Sequence, residues 1–101
     1  MRVIFCTTPL EKADEYAEIL LKEQLVACVN IIPKVKSKYT WEGKICTDEE
    51  ALMIIKTKSE LVEKIITRIK EIHEYNTPEI ISFEIKEGSD DYLNWIKNVT
   101  L

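Results

Sequence analysis

Cys6 and His73 are the residues of this chain best placed to do metal chemistry. Cys6 closes the apolar run Arg2–Cys6 and precedes Thr7-Thr8-Pro9, which reads as a helix start. A helix N-terminus there would lower a thiol pKa and favour thiolate, the form that binds soft metals. The structural alternative is a small hydrophobe packed under the first helix. His73, the single histidine, lies near the end of the second predicted helix. As a neutral imidazole it binds copper or zinc; as a cation it satisfies the last helix carbonyls. One cysteine and one histidine do not fill four positions, so Glu79 or a neighbouring copy must contribute. A cleft between subunits holding Cys6, His73, Tyr75 and Glu79 is the expected place of any copper, with zinc the next candidate. No Cys-x-x-Cys, His-x-x-x-His or His-Glu-x-x-His occurs, which argues against a closed zinc site. Nothing in the sequence orients Cys6 against His73 as nucleophile and base, so the expected protein is not an enzyme.

Other candidates carry less. Cys28 reads as core and Cys46 as partly exposed. Asp48-Glu49-Glu50 and Asp90-Asp91 lack the loop spacing of an EF-hand and read as a solvated face and a helix start.

These residues need a scaffold. The longest period-two stretch is Cys28–Ile45, in which Val29, Ile31, Pro33, Val35, Ser37, Tyr39 and Trp41 alternate with Lys34, Lys36, Lys38 and Thr40. Strict alternation predicts one strand with one buried face. Glu42-Gly43 turns the chain and Ala51–Lys56 is the apolar part of the returning strand, whose polar start is expected to carry a bulge. At ~14 residues the outgoing strand is long against the usual ~5–6. Thr8-x-x-Glu11 and Thr57-x-x-Glu60 read as capping boxes. They open helices over Pro9–Glu23 and from Leu61 to about His73. Pro78 forbids helix in His73–Glu79. Ile80–Lys86 reads as a fourth strand, and Ser89 caps a last helix.

The order β-α-β-β-α-β plus a terminal helix is the ferredoxin-like α+β plan, with an antiparallel sheet and helices on one face. The first and third strands belong in the middle. The other sheet face is then short of cover, and Tyr39 and Trp41 are large for a solvated arm. Copies of the chain are expected to cover one another.

At 101 residues the chain is a single domain, 1–101. Hydrophobic residues at 46% and charged residues at 32% are globular values. A net charge of −4, with no basic cluster beyond Lys34, Lys36 and Lys38, argues against nucleic acid. No apolar run reaches ~20 residues, so no membrane span is expected. The apolar start is too short for a signal peptide, so the expected location is cytoplasmic, with three free thiols.

Several motifs together resemble the CutA family of divalent-cation-tolerance proteins. They are Cys6–Pro9 (CTTP), Ala27–Pro33 (ACVNIIP), Tyr39–Ile45 (YTWEGKI), Ile55–Thr57 (IKT), His73–Ile81 (HEYNTPEII) and Asp91–Ile96 (DYLNWI). The resemblance implies a ferredoxin-like fold, a homotrimer of PII-like architecture, and a non-enzymatic link to copper and other divalent metals. It also implies metal binding at the positions of Cys6 and His73. Ile72 stands where some members carry a second histidine. The alternative it leaves open is a PII-like signalling or small-ligand module in which metal is incidental.

Overall fold

Residues 1–101 are all described in the computed structural model. In chain order they form β1 (Arg2–Thr8), α1 (Ala13–Lys22), β2 (Cys28–Trp41), β3 (Lys44–Thr57), α2 (Val62–Ile72), β4 (Ile80–Glu84) and α3 (Asp90–Val99). A 3-10 turn at Ser59–Leu61 leads into α2. The sheet order is β2-β3-β1-β4, antiparallel throughout, with β1 and β3 central. This is the ferredoxin-like α+β fold with an added C-terminal helix.

Period-two patterning builds the core. Ile4, Cys6 and Thr8 of β1 and Ala51, Met53, Ile55 and Thr57 of β3 are fully buried on one sheet face. Tyr16 and Leu20 of α1 and Ile65 and Ile69 of α2 cover them at four-residue spacing, the stripe an amphipathic helix offers. The opposite face carries Val3, Phe5, Leu52, Ile54, Ile81 and Phe83, by register. The terminal helix covers only one end of that face: Ile96 is fully buried and Tyr92 lies beside the Cys28 thiol. Ile81 and Phe83 stay 47% exposed. No helix is long and apolar enough to cross a membrane.

The two Thr-x-x-Glu boxes do not form. Thr8 and Thr57 remain paired in their strands, opposite Ala51 and Arg2. Their hydroxyls donate instead to the carbonyls of Pro9 (2.9 Å) and Leu25 (2.7 Å). A threonine still held in a sheet cannot also be the first half-turn of a helix. So α1 starts at Ala13, after a turn closed by Lys12 N–H to the Pro9 carbonyl. Ser89 does cap, accepting from the Tyr92 N–H at 3.2 Å.

The bulge expected in β3 lies in β2. Ile32 pairs with Leu52 and Val35 with Glu50, so Pro33-Lys34 adds one residue to the outgoing strand. An extra residue reverses the alternation. Val29 and Ile31 face the helices; Val35, Ser37, Tyr39 and Trp41 face the other side. They do not share one face. Proline fits there because it lacks the N–H that a ladder needs.

Beyond the bulge β2 and β3 pair only with each other, as a two-stranded arm of a molecule 44 Å long. Its tip is a two-residue loop with φ of 51° at Glu42 and 76° at Gly43, as a type I′ turn requires. A Cβ on Gly43 would meet nothing within 4 Å, so substitution there is limited by backbone conformation alone. Gly43→Ala is expected to cost about 1–2 kcal/mol. Glu42→Asn, which tolerates positive φ, should stabilise by a few tenths. Denaturation midpoints that move in the same direction for both would refute this reading of the turn.

Candidate functional site

The end of β1, the end of α2 and the loop at 73–79 meet at one side chain. His73 follows the last turn of α2, and its N–H still donates to the Ile69 carbonyl at 2.8 Å. Its ring is 9% exposed and packs between Tyr16 and Tyr75, with centroids 5.1 and 4.6 Å away. Nε2 donates to the Thr7 carbonyl at 2.8 Å and Nδ1 accepts from the Tyr75 N–H at 3.1 Å. That pair of bonds selects the neutral imidazole with its proton on Nε2. The Glu74 N–H donates to the Tyr16 hydroxyl at 3.2 Å, fixing the start of the loop on α1. One chain thus brings the β1 end and the α2–β4 loop together without help from a neighbour.

Cys6 is fully buried between Met53 and Ile80, its register partners. Its thiol lies 3.6 Å from the Thr7 carbonyl, the same oxygen that receives the His73 proton. The helix expected to activate it begins seven residues later, at Ala13. Burial acts the other way. Together with the negative fields of Glu79 and then Glu50, it pushes the thiol from 9.0 up to about 12. In the single chain Cys6 is a buried, neutral thiol.

Glu79 is exposed and borders a cavity of about 680 Å³. Neither Cys6 nor His73 lines it. Its walls come from Thr7, from Tyr39, Trp41, Asp48 and Glu50 of the arm, and from the loop that begins at Tyr75. Glu50, read from sequence as solvated, is 8% exposed. The missed signal was positional. Glu50 adjoins the apolar half of β3, where the loop packs down. The Tyr39 hydroxyl donates to Asp48, which with partial burial raises the phenol to about 12. The Tyr75 phenol is raised too, first by burial and then by Glu50.

In the single chain these residues are not a preformed donor set for copper or zinc. The thiol is held neutral, both imidazole nitrogens are engaged, and no three His, Cys, Asp or Glu side chains converge to hold a metal ion. Cys6, His73 and Glu79 are neighbours rather than a ready ligand set.

The family described as CutA1 divalent ion tolerance protein matches residues 2–99. The chain belongs to that family. "Protein CutA, chloroplastic" of Arabidopsis thaliana is 44% identical over 99 residues, which is 97% of this chain and 54% of that protein. The chain spans about half the length of this plant relative, and likewise of a rice one at 56%. Two solved CutA structures superpose along the whole length. CutA1 from Pyrococcus horikoshii has a TM-score of 0.94 at 38% identity, covering 100% of this chain and 99% of that one. The PII-like protein CutA from Nostoc sp. PCC 7120, in apo form, has 0.95 at 30% identity, covering 100% and 98%. This chain therefore keeps the whole CutA fold, including the long β2–β3 arm and the terminal helix.

Proposed function

We propose that this CutA chain acts as a non-enzymatic homotrimer in divalent-cation tolerance. The observation that carries the assembly is the apolar sheet face left open by α3, with Phe83 and Ile81 half exposed. A monomer with that face in water is a poor end state, and three copies cover it together. The absence of catalysis is supported by the geometry. A thiol held near 12 is no nucleophile at neutral pH, and an imidazole with both nitrogens bonded is no base. Unpaired Cys6, Cys28 and Cys46 suit a reducing compartment, so we assign the cytoplasm.

Copper is the ion we assign to this tolerance, with zinc second. Cys6, His73 and Glu79 are the side chains through which it would act. Loading them requires deprotonation of the thiol and release of Nδ1 from the Tyr75 N–H. Affinity for Cu²⁺ is accordingly expected to be weak at pH 7 and to rise with pH. Cys6→Ala and His73→Ala should each lower it by about tenfold or more. Calorimetric titration at pH 7 and pH 9 checks this, and equal affinities in wild type and both variants would remove the assignment. The second reading is a PII-like signalling or ligand-binding trimer in which metal is incidental. The cavity between the arm and the loop from Tyr75 to Glu79, and the likeness to the PII-like Nostoc protein, favour it.

A further inference from the structure

In the single chain His73 is not open to a metal ion, and the cause lies in the fold. A stretch of chain from Thr7, at the end of β1, to Tyr16 in α1 governs both ring nitrogens. The Thr7 carbonyl takes the Nε2 proton at 2.8 Å. Nδ1 is governed at one remove. It accepts from the Tyr75 N–H at 3.1 Å, and the intervening residue, Glu74, is held on the α1 side twice. The Glu74 N–H donates to the Tyr16 hydroxyl at 3.2 Å, and the Glu74 carboxylate lies 3.5 Å from the Lys12 ammonium. All of these contacts are made within a single chain.

The two attachments of Glu74 carry different weight. The Lys12 and Glu74 side chains are 31% and 53% exposed, and Lys12 is shared with Glu15 at 3.8 Å, so the ion pair holds little. Tyr16 is 1% exposed, with its ring 5.1 Å from that of His73. A buried phenol oxygen needs a hydrogen-bond partner, and here the partner is a loop amide. The Tyr75 N–H leaves Nδ1 only if the backbone at 74–75 swings out, and the Tyr16 hydroxyl opposes that swing. The Thr7 bond has the other character. Metal-bound imidazoles commonly donate their second N–H to a backbone carbonyl. With Nε2 held by Thr7, the lone pair left for a metal is that of Nδ1, the atom the Tyr75 N–H covers.

We propose that Tyr16 is a positioning residue that keeps His73 closed. Its hydroxyl holds the loop so that the Tyr75 N–H occupies the ring position a metal ion would take. The consequence for copper rests on the reading of His73 as a ligand; the clasp between Tyr16 and Glu74 does not. Apparent affinity scales with the fraction of the protein in its binding-competent state. Weakening the clasp therefore strengthens metal binding, the reverse of what general structural damage does.

Tyr16→Phe tests this, because it removes the hydroxyl and keeps the ring, so the core stays filled. Amide exchange is followed residue by residue by NMR in the metal-free full chain, and Cu²⁺ is then titrated calorimetrically at the same pH. The Tyr75 N–H is expected to exchange about fivefold faster in the variant, and the Cu²⁺ affinity to rise by the same factor. Ile65→Val, a change at a fully buried position of α2, controls for general loosening and should move neither. Tyr75 exchange unchanged within about twofold, or accelerated equally by both substitutions, overturns the proposal. Where His73→Ala lowers the Cu²⁺ affinity, an affinity that stays the same or falls in Tyr16→Phe also overturns it. Cu²⁺ binding that is absent, or indifferent to His73→Ala, removes the copper reading instead and leaves the exchange result to decide the clasp.

Discussion

Phe83→Asp is expected to leave the chain folded but monomeric. Phe83 sits on β4, a sheet edge, opposite Val3 and 5.0 Å ring to ring from Phe5. Nearly half of it is exposed in the single chain, so a small polar residue there removes little of the monomer's own core. In the proposed trimer the same position would be covered by another copy. Burying a phenylalanine is worth about 1.5–3 kcal/mol, and a buried unpaired carboxylate costs several more. Threefold symmetry repeats both losses at every interface. Light scattering on a sizing column should report the 11.8 kDa chain mass for the variant and three times that for wild type. A variant still trimeric at low micromolar concentration would reject the open sheet face as the interface. Trp41→Ala, at the arm's end and 52% exposed, should loosen the trimer without abolishing it.

The order of elements was legible because both periods are strong. The aliphatic runs at Arg2–Cys6 and Ala51–Lys56 could only be buried strands, and the isoleucine stripe of α2 only a helix. Three things were not legible. Pro33 read as one more member of a regular alternating strand. Which strand takes the extra residue depends on the partner register, Ile32 with Leu52 against Val35 with Glu50, and no local pattern holds that information. The threonine caps failed because Thr8 and Thr57 stay paired in the sheet, opposite Ala51 and Arg2, with their hydroxyls turned to the carbonyls of Pro9 and Leu25. At the site, the chemistry of the residues at 6, 73 and 79 was hidden, since it turns on what each proton meets. One backbone oxygen, that of Thr7, lies within reach of both the thiol and the imidazole. A backbone carbonyl leaves no mark in a sequence.

His73→Ala should be the most destabilising single change in this neighbourhood. It removes a ring packed on Tyr16 and Tyr75 and two hydrogen bonds that tie three elements together. The Thr7 carbonyl loses its imidazole donor and the Tyr75 N–H its acceptor, in a part-buried setting where unpaired groups cost about 1–3 kcal/mol each. Allowing for relaxation of the loop, a loss of about 3 kcal/mol is expected, or about 12–24 °C in Tm for a domain of this size. His73→Gln can return a donor to Thr7 but not the acceptor for Tyr75, so it should recover about half. Chelation separates this role from a resident metal. If the hydrogen bonds alone hold the loop, EDTA leaves the wild-type Tm unchanged while His73→Ala lowers it. If EDTA lowers the wild-type Tm and has no effect on the variant, a metal at His73 is doing the holding, and the two bonds to Thr7 and Tyr75 cannot both persist in the loaded protein.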